Sequence, residues 1–326
     1  MNPDASIYVA GHRGLVGSAL VRCLQRAGYH NLILRERAEL DLTVQRDVQE
    51  FFARSRPQFV FLAAAKVGGI LANDTQPAQF MLSNLAVQSN VIDAAYRNGV
   101  GKLLFLGSSC IYPRHAPQPM PEDCLLTGPL EPTNQWYAIA KIAGLKMCQA
   151  YRREYGFNAI AVMPTNLYGP GDNFSLHSSH VLPALMRKFH DARERGAAAV
   201  EVWGTGQPRR EFMHVDDLAD ACLFLMQRYD EEMWINVGWG RDGTIAELAH
   251  IVRDVVGFEG EIRFDASKPD GTPRKLLDTA RVRSLGWMPS IELEAGIRST
   301  YRWFVAHHTR GEVWVPPPGA EIRIGS

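Results

Sequence analysis

The stretch Ser6-Ile7-Tyr8-Val9-Ala10-Gly11-His12-Arg13-Gly14-Leu15-Val16-Gly17 decides the fold. Its first five residues form a β-rich run that stops at a glycine, the pattern of a short buried strand. Beyond it Leu15, Ala19, Leu20, Cys23 and Leu24 recur at helical spacing. Gly11, Gly14 and Gly17 thus stand between a strand and a helix. Glycines there permit a tight turn and let backbone approach a pyrophosphate, which meets the free N–H groups and positive dipole of the helix start. In this setting the string reads as a dinucleotide site; the plainer alternative is a glycine turn needed only for packing.

Working outward, further strands are predicted at Leu32–Leu34, Phe59–Ala65, Leu103–Leu106 and Ala159–Met163. Helices are predicted at Val44–Ala53, Phe80–Arg97 and Gln135–Tyr155. The near-continuous apolar runs at Phe59–Ala65 and Leu103–Leu106 suit parallel strands buried on both faces. Their alternation with helices predicts an α/β protein with a Rossmann-type doubly wound parallel sheet and right-handed crossovers. The pattern changes at Pro164 and at Gly169-Pro170-Gly171. After it come a helix at His180–Arg195, a strand at Val200–Trp203, a helix at Val215–Gln227, a strand at Trp234–Val237 and a helix at Ile245–Val256. This predicts a smaller C-terminal α/β substrate lobe. The expected division is a cofactor domain over 1–165 and a mainly substrate-binding lobe over 166–326, with about 211–240 packing back on the first. The Pro-rich run Val315–Pro318 reads as a surface segment.

Composition narrows the partners. Lys plus Arg and Asp plus Glu number 35 each, so no basic excess points to nucleic acid. No stretch has the roughly 18 apolar residues of a membrane span, and the first residues lack the basic segment of a signal peptide. The five cysteines, Cys23, Cys110, Cys124, Cys148 and Cys222, are scattered and form no C-x-x-C pair. Neither structural zinc nor a disulfide framework is expected, and the expected setting is cytoplasmic, with reduced thiols and no metal.

Two clusters carry chemistry. At the end of the second strand, Arg35-Glu36-Arg37 joins Arg13 of the glycine loop. Arginines there favour the 2′-phosphate of NADP(H), whereas an acidic residue favours the ribose hydroxyls of NAD(H). The three arginines outweigh Glu36, and NADP(H) is the expectation; the alternative is a solvated surface cluster. Tyr137 and Lys141, four residues apart, share one face of the predicted helix. An ammonium beside the phenol would favour phenolate, giving a group able to move the proton that accompanies hydride transfer. Ser108 and Ser109 lie just past the strand Leu103–Leu106, where parallel sheets bind ligands.

With these residues the chain resembles the extended short-chain dehydrogenase/reductase family, whose members work on nucleotide sugars. The resemblance runs almost end to end, through Ala63-Ala64-Ala65, Pro164-Thr165-Asn166-Leu167-Tyr168-Gly169-Pro170 and Arg210-Glu211-Phe212-Met213-His214-Val215-Asp216-Asp217. It implies a cofactor site of Gly11, His12, Arg13, Gly14, Leu15, Val16, Gly17, Arg35, Arg37, Leu106, Gly107, Ser108, Ser109, Lys141, Pro164, Thr165, Asn166, Leu167 and His180. Finer matches at Ser108-Ser109-Cys110-Ile111-Tyr112-Pro113, Lys66-Val67-Gly68-Gly69-Ile70 and His180-Val181-Leu182-Pro183-Ala184-Leu185 resemble the branch that epimerises a GDP-4-keto-6-deoxy-D-mannose at C3 and C5 and then reduces C4. Sugar dehydratases of the family carry an Asp-Glu pair where this chain has Cys110 and Ile111. The resemblance makes Ser108, Cys110, Tyr137, Lys141 and His180 the catalytic set. Cys110 is expected as base and His180 as acid; His177, three residues earlier, is set aside only by the motif. If Leu106–Cys110 stays extended, Ser108 and Cys110 project to one side. By themselves Cys110 reads as a core residue and His180 as a helix cap.

Resemblance also assigns Lys188, Trp203 and Arg210 to the nucleotide end and Asn166 to the sugar. Lys188 reads equally as an exposed helix residue and Trp203 as core. Resemblance implies a homodimer through Phe80–Arg97 and Gln135–Tyr155, whose apolar faces read equally as burial against the sheet. A 4-epimerase of the same fold and a non-enzymatic dinucleotide sensor are the rival functions.

Overall fold

The computed structural model describes residues 1–176, 179–268 and 270–308. The predicted surface segment Val315–Pro318 and His177 lie outside the described residues. The first half runs β1 (Ile7–Ala10), α1 (Leu15–Arg26), β2 (Leu32–Ile33), α2 (Gln45–Ser55), β3 (Phe59–Leu62), α3 (Ile70–Thr75), α4 (Pro77–Arg97), β4 (Lys102–Leu106), α5 (Gln135–Tyr155) and β5 (Ala159–Pro164). The second runs β6 (Asn166–Tyr168), α6 (Val181–Glu194), β7 (Ala199–Trp203), β8 (Arg209–His214), α7 (Val215–Arg228), β9 (Ile235–Val237), β10 (Asp242–Thr244), α8 (Ile245–Val256), β11 (Glu261–Asp265), β12 (Arg274–Lys275), α9 (Ala280–Ser284) and α10 (Leu293–His308).

A six-stranded sheet in the order β2-β1-β3-β4-β5-β9 is parallel throughout. Every residue of β1, β4 and β5 is buried, which is why these strands read as unbroken apolar runs. One face is filled by residues of α2, α4 and α5 such as Phe52, Val91, Ile92 and Leu145. The other is filled from α1 and α7, by Leu20, Leu24, Leu218, Cys222 and Leu225. The turn from β1 into α1 places the glycines at the carboxyl edge of the sheet, as the sequence predicts. The predicted strand at Phe59–Ala65 ends at Leu62, because Ala63 and Ala64 pass directly beneath Gly11.

A third cluster, with Leu185, Phe189, Val252, Ile297 and Phe304, forms the core of the second lobe under α6, α8 and α10. Its strands form two small assemblies, the pair β7 and β11, and β8 flanked by β10 and β12 with β6 also pairing β8. The strand β8 and the helix α10 were not among the predicted elements. Two residues of β8 point opposite ways. Arg210 lies beside Lys275 in the parallel pairing with β12. Glu211 on the opposite face is fully buried and accepts the backbone N–H groups of Gly240 (2.6 Å) and Leu277 (3.1 Å). On that same face Asp242 holds Arg209 and Arg274, at 3.0 and 2.5 Å. Among the described residues, no helix is long and apolar enough to cross a membrane.

Candidate active site

The glycine loop is shaped by what it excludes. Gly11 has φ +82°, and a Cβ there would lie 2.8 Å from the Ala64 backbone. A Cβ at Gly17 would overlap the Gly11 carbonyl. Gly14 begins α1 with no side-chain cap, and no acidic residue occupies the first turn. The helix start therefore keeps free N–H groups and its positive dipole for an anion. His12 in this loop has a buried Nδ1 without a hydrogen-bond partner. Leu15 and Val16 turn back onto the sheet core. This cradle, small enough that side chains are barred from it, fits the pyrophosphate of a dinucleotide.

Beyond β2, Arg13 pairs with Glu36. Arg37 reaches Asp41 at 3.3 Å, and Arg35 donates to the Leu34 carbonyl at 2.8 Å. Across the sheet edge, Gly107 continues from β4, its N–H donating to Val162 (2.9 Å), where a Cβ would overlap Met163. Pro164, Thr165, Asn166 and Leu167 pass from β5 into β6 beside it. Asn166 donates its side-chain amide to the Glu211 carbonyl at 2.8 Å.

Ser108, Cys110 and Tyr137, expected from the sequence to react, meet where β4 ends. Ser108 is extended, with φ −161° and ψ 147°, but the chain then coils into a 3-10 turn over Ser109–Ile111. The expectation that an extended strand would align Ser108 and Cys110 is corrected here. The Ser108 hydroxyl accepts the Cys110 N–H and so caps the turn, and this turn brings Cys110 Sγ to 2.9 Å from Ser108 Oγ. Below it, the Tyr112 hydroxyl donates to Asn236 (2.5 Å) and accepts from Trp234 (3.2 Å), anchoring the turn to β9. All five cysteines are free; Cys110 is half-buried and the other four are buried.

Tyr137 enters the same space from the first turn of α5. Its phenol is held well above the ordinary tyrosine value by burial, with Cys110 adding to the effect and a hydrogen bond from Ser108 opposing it. Lys141, one turn on, donates to the Leu106 carbonyl at 2.8 Å and lies 4.8 Å from the Phe105 ring centre. Burial lowers its pKa to about 8. The expected depression of Tyr137 by Lys141 is not found, because the ammonium is turned toward the end of β4 and over the tyrosine ring, 5.9 Å from its centre. A phenol raised in this way favours its protonated form.

His180 caps α6 without a side-chain hydrogen bond and is exposed. Desolvation by surrounding protein, then the charge of Lys275, hold its pKa below the ordinary imidazole value. Lys275 was missed in the sequence. It is lowered by burial, and it feels Cys110, Arg210 and Glu131. No local motif marks it; only the two-residue strand β12 brings it beside Arg210. Lys275 thus links Cys110, His180 and Arg210 electrostatically. Arg210 is itself lowered by burial, Asp270 opposing.

Farther along the lobe, Trp203 is 64% exposed and is not a core residue. The ammonium groups of Lys188 and Lys268 lie 5.4 and 5.7 Å from its ring centre, and Lys188 donates to the Glu201 carbonyl at 3.1 Å. Asp270 accepts from the Thr205 N–H and hydroxyl, both at 2.7 Å, between this platform and Arg210. Among the described residues, His190, Asp191 and His308 group their donor atoms within 4.8 Å, apart from this cleft, and the Asp191 carboxylate is already held by Arg187.

Reducing a ketone requires a hydride source, a proton donor and the carbonyl in one place. The mouth of this sheet assembles the protein groups for that task, which is the design of the short-chain dehydrogenase/reductase class. Residues 7–238 match the NAD dependent epimerase/dehydratase family, and the chain belongs to that family. It is 62% identical over 302 residues to GDP-L-fucose synthase 1 of Arabidopsis thaliana, covering 93% of this chain and 94% of that one. Among solved structures it resembles a GDP-6-OMe-4-keto-L-xylo-heptose reductase from C. jejuni, with TM-score 0.90, 40% identity and coverage of 94% and 99%. It also resembles a GDP-L-fucose synthetase from Naegleria fowleri bound to NADP, with TM-score 0.88, 28% identity and coverage of 96% and 97%.

Proposed function

We propose that the chain converts GDP-4-keto-6-deoxy-D-mannose to GDP-L-fucose, by epimerisation at C3 and C5 followed by NADPH-dependent reduction at C4. The observation that carries this reading is the Cys110 thiol 2.9 Å from the Ser108 hydroxyl, beside the Tyr137 phenol. A plain C4 reductase needs Tyr137 and Ser108 and has no use for a thiol beside them.

NADPH, when bound, supplies the hydride for C4. Gly11, Gly14 and Gly17 with the start of α1 would hold its pyrophosphate, Arg13, Arg35 and Arg37 its 2′-phosphate, and Lys141 its nicotinamide ribose. Leu106, Gly107, Ser109, Pro164, Thr165, Leu167 and His180 would line the nicotinamide end. Ser108 and Tyr137 donate to the C4 oxygen. Carbons 3 and 5 both flank that carbonyl, so loss of a proton from either places negative charge on the same oxygen. One pair of donors serves both epimerisations. Cys110 removes the proton and His180, as the imidazolium, returns one to the opposite face. Tyr137, a neutral phenol, gives its proton to the alkoxide of the final step.

Arg210 and Lys275 together would neutralise the diphosphate, with Lys188 and the exposed face of Trp203 at the guanine and Asn166 near the sugar. On this reading 1–165 with 211–240 carries the cofactor, and the rest of the chain carries the nucleotide sugar. Leu82 on α4, 71% exposed, and the half-buried Leu85 and Ile139 support a homodimer through α4 and α5. Four buried reduced thiols suit a cytoplasmic setting.

Solvent deuterium uptake tests the pair. Cys110→Ser and His180→Gln are expected to lower incorporation at C3 and C5 by roughly 10²- to 10⁴-fold. Full uptake at both carbons in both variants would leave a reductase or a simple 4-epimerase as the better account.

A further inference from the structure

The residues after β2 carry two opposed specificities. Arginines there select a 2′-phosphate, and a carboxylate there accepts ribose hydroxyls. In this chain the two are joined, because Glu36 is ion-paired with Arg13 across the mouth of the glycine loop. The Glu36 backbone is itself fixed, its N–H donating to the Glu39 carboxylate at 2.8 Å. The other two guanidinium groups have acceptors of their own, Arg37 on Asp41 and Arg35 on the Leu34 carbonyl. Arg35 also lies 5.9 Å above the Phe51 ring.

A 2′-phosphate entering this site must take Arg13 from Glu36 and then sit beside a carboxylate of its own sign. A cofactor with a free 2′-hydroxyl meets neither cost. It leaves the Arg13–Glu36 pair closed, or accepts Glu36 as a hydrogen-bond acceptor. Both side chains are exposed, so the pair opens at little expense and the phosphate is admitted. We propose that Glu36 is a cofactor-selectivity residue that narrows the preference for NADPH, so that NADH is used alongside it. The inference rests on the assignment of this site to a nicotinamide dinucleotide, and it adds a specific role for a residue that the NADPH reading does not use.

Two fragments of the adenosine end, 2′,5′-ADP and ADP, probe it by calorimetry without turnover. In Glu36→Gln the carboxylate charge is gone and Arg13 is released. The ratio of affinities, 2′,5′-ADP over ADP, is expected to rise about tenfold, the scale of a charge-assisted contact. Glu36→Lys is expected to raise it further. The ratio of kcat/KM for NADPH over NADH should rise in step. A ratio unchanged or lowered in both variants, with 2′,5′-ADP still bound by the wild-type chain, overturns the role of Glu36 and leaves the NADPH reading standing. Absence of 2′,5′-ADP binding to the wild-type chain overturns both.

Discussion

The two walls of the cleft are built differently. The wall proposed for the cofactor is made of short contiguous pieces: a strand, a glycine loop and a helix start within Ile7–Arg26, and a tyrosine and lysine one turn apart on α5. The wall proposed for the nucleotide sugar depends on strands that meet only after the chain has folded. Lys275 stands beside Arg210 because β12 pairs with β8. Local geometry shapes the first wall, and tertiary pairing the second. Damage to the first should stop the chemistry, while damage to the second should loosen the substrate.

That contrast can be broken by substitution. The largest effect is expected for Tyr137→Phe, which removes the proton donor and keeps the ring packed on Phe80. Its kcat for NADPH oxidation should fall roughly 10²- to 10⁴-fold with KM little changed. A large rise in KM at constant kcat would move Tyr137 to the binding side. Next comes Lys275→Met. Loss of one half-buried charge from the proposed diphosphate site is expected to raise KM for the GDP-sugar about 10- to 100-fold. The same variant sharpens the comparison through pH. His180 is held below its ordinary value of 6.5 partly by Lys275, so the ring loses its proton as pH rises through a value under 6.5. Without the lysine that pKa rises, and the limb of the exchange-rate profile that reports His180 should move to higher pH. A limb that stays in place would separate Lys275 from His180. The smallest effect is expected for Trp203→Ala. Removing an aromatic platform from a base is worth ~1–2 kcal/mol, roughly a tenfold rise in KM, with kcat preserved.

The same division explains what could be read in the sequence. Helix α5 occupies Gln135–Tyr155, the span its periodicity predicts, and the glycine loop lies where the opening stretch puts it. These are short-range patterns with strong periodicity. The strand β8 was visible only as the motif around Arg210, since Arg209-Arg210-Glu211 shows no apolar alternation and its partners are remote. The 3-10 turn at Cys110 escaped notice because Ser108 itself caps it, a local hydrogen bond that overrides continuation of the strand. The behaviour of Lys141 needed its burial against Phe105 and the Leu106 carbonyl, which spacing alone does not reveal.

Glu211 makes the sign of the cleft a question of register. On β8 the cation proposed for the diphosphate and a carboxylate point opposite ways, and the inward carboxylate is fastened to the backbone of Gly240 and Leu277. Were the strand to slip by a single residue, every side chain would change faces. A slip in one direction would put Glu211 where Arg210 stands, and a slip in the other would put the Arg210 guanidinium in the buried place of Glu211. The buried anchor therefore works as a key that admits one alignment of the strand, and the polarity of the binding wall follows from it.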